Sequence, residues 1–188
     1  MSVELSWDLF VIVFFAIVIT YSFIIGKHES VKIIISTYIA IVAAQAMGNL
    51  MQRLSGESQP FLSTVGITVD ITLLATTKLL LFVGTIVLLA VRGGFEVEYN
   101  TESGGMGDTA LTGLFGFVTA GLLMSTLMTF VADVPLLDKN IALSPNIMMI
   151  TSQSDLMKSM ITYQDVWFAL PAIILLIIGF THGEEPIE

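Results

Sequence analysis

The sequence predicts an all-α, polytopic integral membrane protein with four transmembrane helices and a possible fifth, C-terminal apolar helix. Three observations predict it. Five apolar stretches recur along the 188 residues, at Leu9–Ile25, Ile33–Leu50, Ile67–Val91, Ala110–Ala132 and Val166–Phe180. Charged residues make up 12% of the chain, about half the roughly 25% of a soluble domain. Mean hydropathy is +0.89. The first four stretches approach the roughly 20 residues that cross a bilayer core of about 30 Å at about 1.5 Å per residue. What remains leaves no room for a large extramembrane domain.

The net charge of −9 argues against a nucleic-acid partner, because phosphate binding needs clustered Lys and Arg. The absence of cysteine excludes disulfides, thiolate metal sites and Cys nucleophiles.

The first stretch is bracketed by Trp7 and Tyr21, residue types enriched at membrane interfaces. Its start carries Glu4 and Asp8 and no Lys or Arg, and no A-x-A-like pattern follows. It therefore reads as a retained helix rather than a signal peptide. Lys27, His28 and Lys32 form a short basic loop, which the positive-inside rule places in the cytoplasm. The N-terminus is then outside. The second stretch ends near Arg53, and a polar turn at Ser55–Pro60 follows. The third ends at Arg92-Gly93-Gly94, a helix-terminating pattern. The acidic, Gly-rich run Phe95–Gly107 reads as a linker. The fourth stretch is rich in small residues. Part of Asp133–Met160 is expected to form an amphipathic surface helix. The fifth stretch is short and holds Pro171, so it reads as a span or as a re-entrant piece. The tail is acidic, with Glu184, Glu185 and Glu188.

Lys78 is the sharpest single residue. If the third span covers Ile67–Val91, Lys78 lies near its middle, where a charge costs at least about 2.5 kcal/mol. Asp70, Thr77 and Lys78, with Thr85 one to two turns on, then form a candidate intramembrane polar site suited to an ion, proton or substrate path. If the span instead starts near Thr72, Lys78 snorkels to the interface. A second feature is the small-residue seam Thr109, Gly113, Gly116 and Ala120. Its Gly116–Ala120 step is a small-xxx-small pair that permits close helix approach, within one chain or between copies. Met124 and Met128 read as packing residues, and His28 and His182 as solvated flanks. No Ser-His-Asp order, H-E-x-x-H, P-loop or nucleotide fingerprint is present. The expectation is a non-enzyme with no cofactor and no metal.

Trp7-Asp8-Leu9-Phe10, an apolar helix, and then Gly26 followed by basic residues resemble the start of the colicin V production protein (CvpA) family. That family carries an Asp at its start and Arg-Gly at the far end of its first span. Asp8 and Gly26 match; Ile25 stands at the Arg position, and Lys27 and Lys32 supply charge nearby. Before the fourth span, Asp108, Phe115 and Gly116 match the family pattern. Thr112, Thr119 and Ala120 stand where it has Arg or Gly, with Gly113 and Gly121 one residue away. The likeness covers Ser6–Val131 by layout. It implies a four-span domain at residues 1–132, with residues 133–188 adding an amphipathic region, the C-terminal apolar helix and the acidic tail. It also implies a bacterial inner-membrane protein supporting toxin or peptide export or envelope homeostasis. Expected partners are the lipid bilayer and other membrane proteins, or further copies as a homo-oligomer. A small channel or transporter, or an accessory subunit of a larger membrane complex, are the alternatives from the residues themselves.

Overall fold

The computed structural model describes residues 6–57, 71–93, 106–132, 137 and 145–181. Among these residues every regular element is helical: α1 (Trp7–Glu57), α2 (Ile71–Arg92), α3 (Met106–Ala132), α4 (Pro145–Thr151), α5 (Asp155–Thr162) and α6 (Gln164–Thr181). Three helices are long and apolar enough to cross a membrane, along Trp7–Met51, Ala75–Arg92 and Gly107–Ala132. A fourth such unit is α5 with α6, bent by 64°.

The first helix is two rods joined at one residue. Gly26 is non-helical, with φ +82° and ψ 177°, a conformation that glycine adopts without a Cβ penalty. The Ser30 hydroxyl donates to the Gly26 carbonyl at 2.8 Å and steadies the start of the second rod. Contacts on either side of Gly26 define a reversal. Before it, a Cβ on Gly116 would lie 2.9 Å from Ile19 Cα, and Lys27 just after it pairs with Asp108 in the first turn of α3 at 2.9 Å. The 7–25 rod therefore runs antiparallel to α3. Beyond Gly26, the Tyr38 hydroxyl donates to the Phe168 carbonyl at 2.6 Å. The neighbouring Trp167 ring lies against Gly121, about 20 Å along α3 from Asp108 at about 1.5 Å per residue. A straight α1 would carry Tyr38 the other way, so the 27–57 rod folds back beside α3.

This corrects the expected loop at Lys27–Lys32, which is the opening of a helix. One glycine supplies the whole turn. The second expected stretch is also longer than its apolar part, because the helix continues through Arg53 to Glu57. The third is described from Ile71, and its expected start at 67–70 lies outside the described residues. Residues 58–60 of the expected polar turn, the 95–105 part of the linker and the acidic tail lie outside the described residues.

The third helix is the axis of the bundle: 72% of an apolar 18-residue stretch of it is buried, against 11% for such a stretch of α1 and of α2. Its small residues permit this, since Gly113, Gly116, Ala120 and Gly121 let neighbours approach on several faces. One face packs Phe115, Val118, Leu122 and Phe130 into a cluster with Val31, Ile34, Ile41 and Ala44. The other end joins Met124, Met128 and Ala132 to Val11, Ile147, Ile150 and Met157. The second cluster brings α4 and α5 onto the same core as α1 and α3. Helix α2 lies alongside the 27–57 rod, with Phe82 edge-on to Phe130 at 5.3 Å.

The amphipathic piece expected within 133–160 contains α5. It buries Met157, Met160 and Ile161 and exposes Asp155 and Lys158. Ser154 caps it by accepting from the Met157 N–H. Asp8 reaches the same helix start, accepting from the Leu156 N–H at 3.2 Å and from the Ser154 hydroxyl. Helix α6 then runs antiparallel to α3, and Pro171 does not break it. Proline removes one N–H from the ladder. Here the Tyr38 hydroxyl sits against the affected turn and donates to the Phe168 carbonyl.

Candidate functional site: the enclosed central helix and a lateral apolar groove

The hydroxyls on α3 form the longest buried polar series in the bundle. Thr112, Thr119, Ser125, Thr126 and Thr129 are all buried. Four of them turn back onto the helix. Thr112, Thr119, Thr126 and Thr129 donate to the carbonyls of Asp108, Phe115, Leu122 and Ser125 at 2.6–2.9 Å. This i−4 bonding satisfies a hydroxyl inside an apolar helix without a neighbour. Thr37 does the same to Ile33 at 2.7 Å. Thr129 also accepts from the Gln164 side-chain amide at 2.6 Å, a buried bond that ties the start of α6 to α3. Ser36 Oγ, Gln45 Oε1 and Ser125 Oγ are buried without a partner. Ser36 and Gln45 stand about 13 Å apart along one rod, so these atoms do not form a continuous polar row.

The structure describes three of the four residues of the polar site expected on α2. Lys78 is 4% exposed, and its aliphatic stem crosses Gly48, where a methyl group would overlap Cε. Lys78 stands one turn before Phe82, which meets Phe130, and Phe130 is about 33 Å from Asp108 along α3. Lys78 is therefore near one end of the bundle, opposite the Lys27–Asp108 pair, and not at mid-depth. Thr77 and Thr85 are half-buried on the same helix. Asp70 lies outside the described residues.

The small-residue seam faces the 7–25 rod. A Cβ on Gly113 would meet the tip of Phe23 at 3.1 Å, and one on Gly116 would meet Ile19 Cα and Ser22 Cβ at 2.9 Å. Ala120 is fully buried and Thr109 is exposed. The positions that carry the CvpA resemblance have local structural roles. Asp8 caps α5, Gly26 makes the reversal, Asp108 holds Lys27, and Phe115 and Gly116 pack inside. Met124 and Met128 are buried in the core. Among the described residues no group of three or more His, Cys, Asp or Glu is placed to hold a metal ion. His28 is half-buried, and His182 is outside the described residues.

An open apolar groove of about 680 Å³ lies between the 7–25 rod, α3 and the α5–α6 bend. Phe15, Phe117 and Trp167 form its wall, with ring centroids 5.5–5.9 Å apart. Leu156, Ser159 and Met160 of α5, with Tyr163, complete its lining. A second, smaller apolar recess of about 500 Å³ is lined by Tyr38 and α6. Sequence reasoning singled out neither Trp167 nor Gln164 nor Tyr38. The available signals were an aromatic and an amide just before an apolar run, and Pro171 within it. No protein family, no curated protein and no solved structure matches this chain.

Proposed function

We propose that this chain is a multi-pass protein of a bacterial cytoplasmic membrane that works by contact rather than by catalysis. In this reading it supports peptide or toxin export or envelope homeostasis, as its resemblance to the CvpA family implies. The 7–25 rod, the 27–51 stretch, α2, α3 and α6 are five crossings, and α5 lies near the plane of one interface. The basic turn at Lys27, His28 and Lys32 is cytoplasmic, which leaves the N-terminus outside.

The observation that carries the contact reading is the pairing of an enclosed central helix with an open apolar flank. Four of the five buried α3 hydroxyls bond their own backbone, so they offer no lining to a solute. The groove beside it is walled by three aromatic rings and opens sideways. The test is deletion of the gene, scored for toxin export and detergent tolerance. Loss of either supports the reading, and an unchanged strain counts against it.

A small channel or transporter is the second reading, and one observation favours it. Lys78 is 4% exposed beside Thr77 on an apolar helix, and ionisable residues inside such helices commonly mark ion or substrate paths. Purified protein in liposomes should then pass an ion or small solute, and Lys78→Ala should change that flux. Tight liposomes with wild-type protein would remove this reading. As an accessory subunit, the chain would co-purify with a membrane partner at fixed stoichiometry.

A further inference from the structure

We infer that Lys78 of α2 supplies the positive charge at the carbonyl end of α3, so that one buried side chain fastens α2 to the axis of the bundle. The inference goes beyond the contact reading, and it competes with the channel reading for this one residue.

Three observations place the charge. The first is level. The Lys78 stem crosses Gly48, which lies about 33 Å from Gly26 along the 27–57 rod. Phe130 lies about as far from Asp108, which stands beside the Gly26 reversal. Lys78 and the end of α3 therefore share one end of the bundle. The second is direction. Ile86, about two turns after Lys78, packs against a cluster whose rod members, Val31 to Ala44, all precede Gly48. Helix α2 therefore runs back toward Gly26. Long helical side chains lean toward the N-terminus of their own helix, so the Lys78 amine leans the other way, to the level where α3 stops. The third is need. The last turn of α3 carries no basic residue, and Thr129, Phe130 and Ala132 are buried there. A helix cannot pair its last four carbonyls itself, and they carry partial negative charge. A cation at that end is favourable, more so where water is excluded. Among the described residues Lys78 is the one charged side chain so buried. Gly48 admits it, since a methyl group there would overlap Cε and lie 2.9 Å from Cγ.

The test removes the charge and then returns it from another position. Lys78→Met keeps an apolar stem and loses the amine. In the full chain in detergent micelles, amide hydrogen exchange over residues 124–132 should rise about tenfold, while residues 110–118 keep the wild-type rate. Val131, 39% exposed in the last turn of α3, can carry a replacement charge. Adding Val131→Lys to Lys78→Met should restore slow exchange, and adding Val131→Gln should not, because only the first returns a cation to the same helix end. Should Lys78→Met fail to fold, recovery of folded protein with Val131→Lys and not with Val131→Gln is the expected result. Unchanged exchange over 124–132 in folded Lys78→Met overturns the inference. So does equal rescue by both additions, or rescue by neither, which would leave Lys78 as packing against Gly48. A Lys78→Met protein that alters solute flux in liposomes at unchanged exchange also overturns it, and assigns the residue to a path.

Discussion

Gly84 and Gly116 are both glycines in long apolar helices, yet the bundle confines only one of them. A Cβ at Gly84 meets nothing within 4 Å, while one at Gly116 would be 2.9 Å from the Ile19 backbone. Backbone cannot rotate away as a side-chain tip can. Gly116→Val should therefore lower stability by about 1–3 kcal/mol through overpacking. Gly84→Ala should raise it by up to about 1 kcal/mol through helix propensity. Unfolding midpoints in mixed micelles check both signs. The Gln164–Thr129 bond is the residue-scale link between α6 and the axis. Gln164→Leu and Thr129→Val should show a coupling of about 0.6 kcal/mol, up to about 1.7, the range for buried polar pairs in membrane helices. A double-mutant cycle measures it, and zero coupling would mean that α6 is held by packing alone.

At the scale of elements, the placement of α5 depends on a residue from the far end of the sequence. Asp8 accepts from the Leu156 N–H and the Ser154 hydroxyl, so a side chain in the first turn of α1 caps a helix that starts at Asp155. A carboxylate there also meets the positive end of the helix dipole. Asp8→Ala should cost about 1 kcal/mol, as for loss of a cap. It should also speed amide exchange in α5 more than in α6, where Tyr38, Gln164 and Trp167 still hold the helix. Equal protection of α5 in wild type and variant would show that its apolar face alone fixes it. The reversal at Gly26 is the other element-scale event. The sequence marked that position by glycine followed by basic residues, but the pattern alone suggested a loop several residues long.

For the whole molecule, the arrangement of rods makes a topology prediction. If the Gly26 turn is cytoplasmic and the rods alternate, position 140 is outside and positions 100 and 185 are inside. The chain has no native cysteine, so single cysteines at Asn140, Asn100 and Glu185 report cleanly. An impermeant thiol reagent on intact cells should label only the first. Labelling at 100 and 185 with silence at 140 would invert the orientation. Labelling at 140 and 185 together would mean that α6 does not cross.

The sequence by itself determined that the described chain is built from helices and which stretches are most apolar. Both follow from local chemistry: long apolar runs must satisfy their backbone internally, and a helix does so within one segment. It also marked Gly116 as a place where helices meet closely, because small residues at helical spacing have few other uses. The sequence did not determine which helix meets that seam, since a neighbour in the same chain and a second copy leave the same pattern. The tertiary structure decided that the 7–25 rod fills it and that α3 is the axis. It set Lys78 near one end of the bundle, where the sequence had left mid-span and interface both open, because depth depends on how α2 packs against its neighbours. The groove was equally hidden in the sequence. Its wall draws on residues 15, 117 and 167, which only the packing of three separate helices brings together.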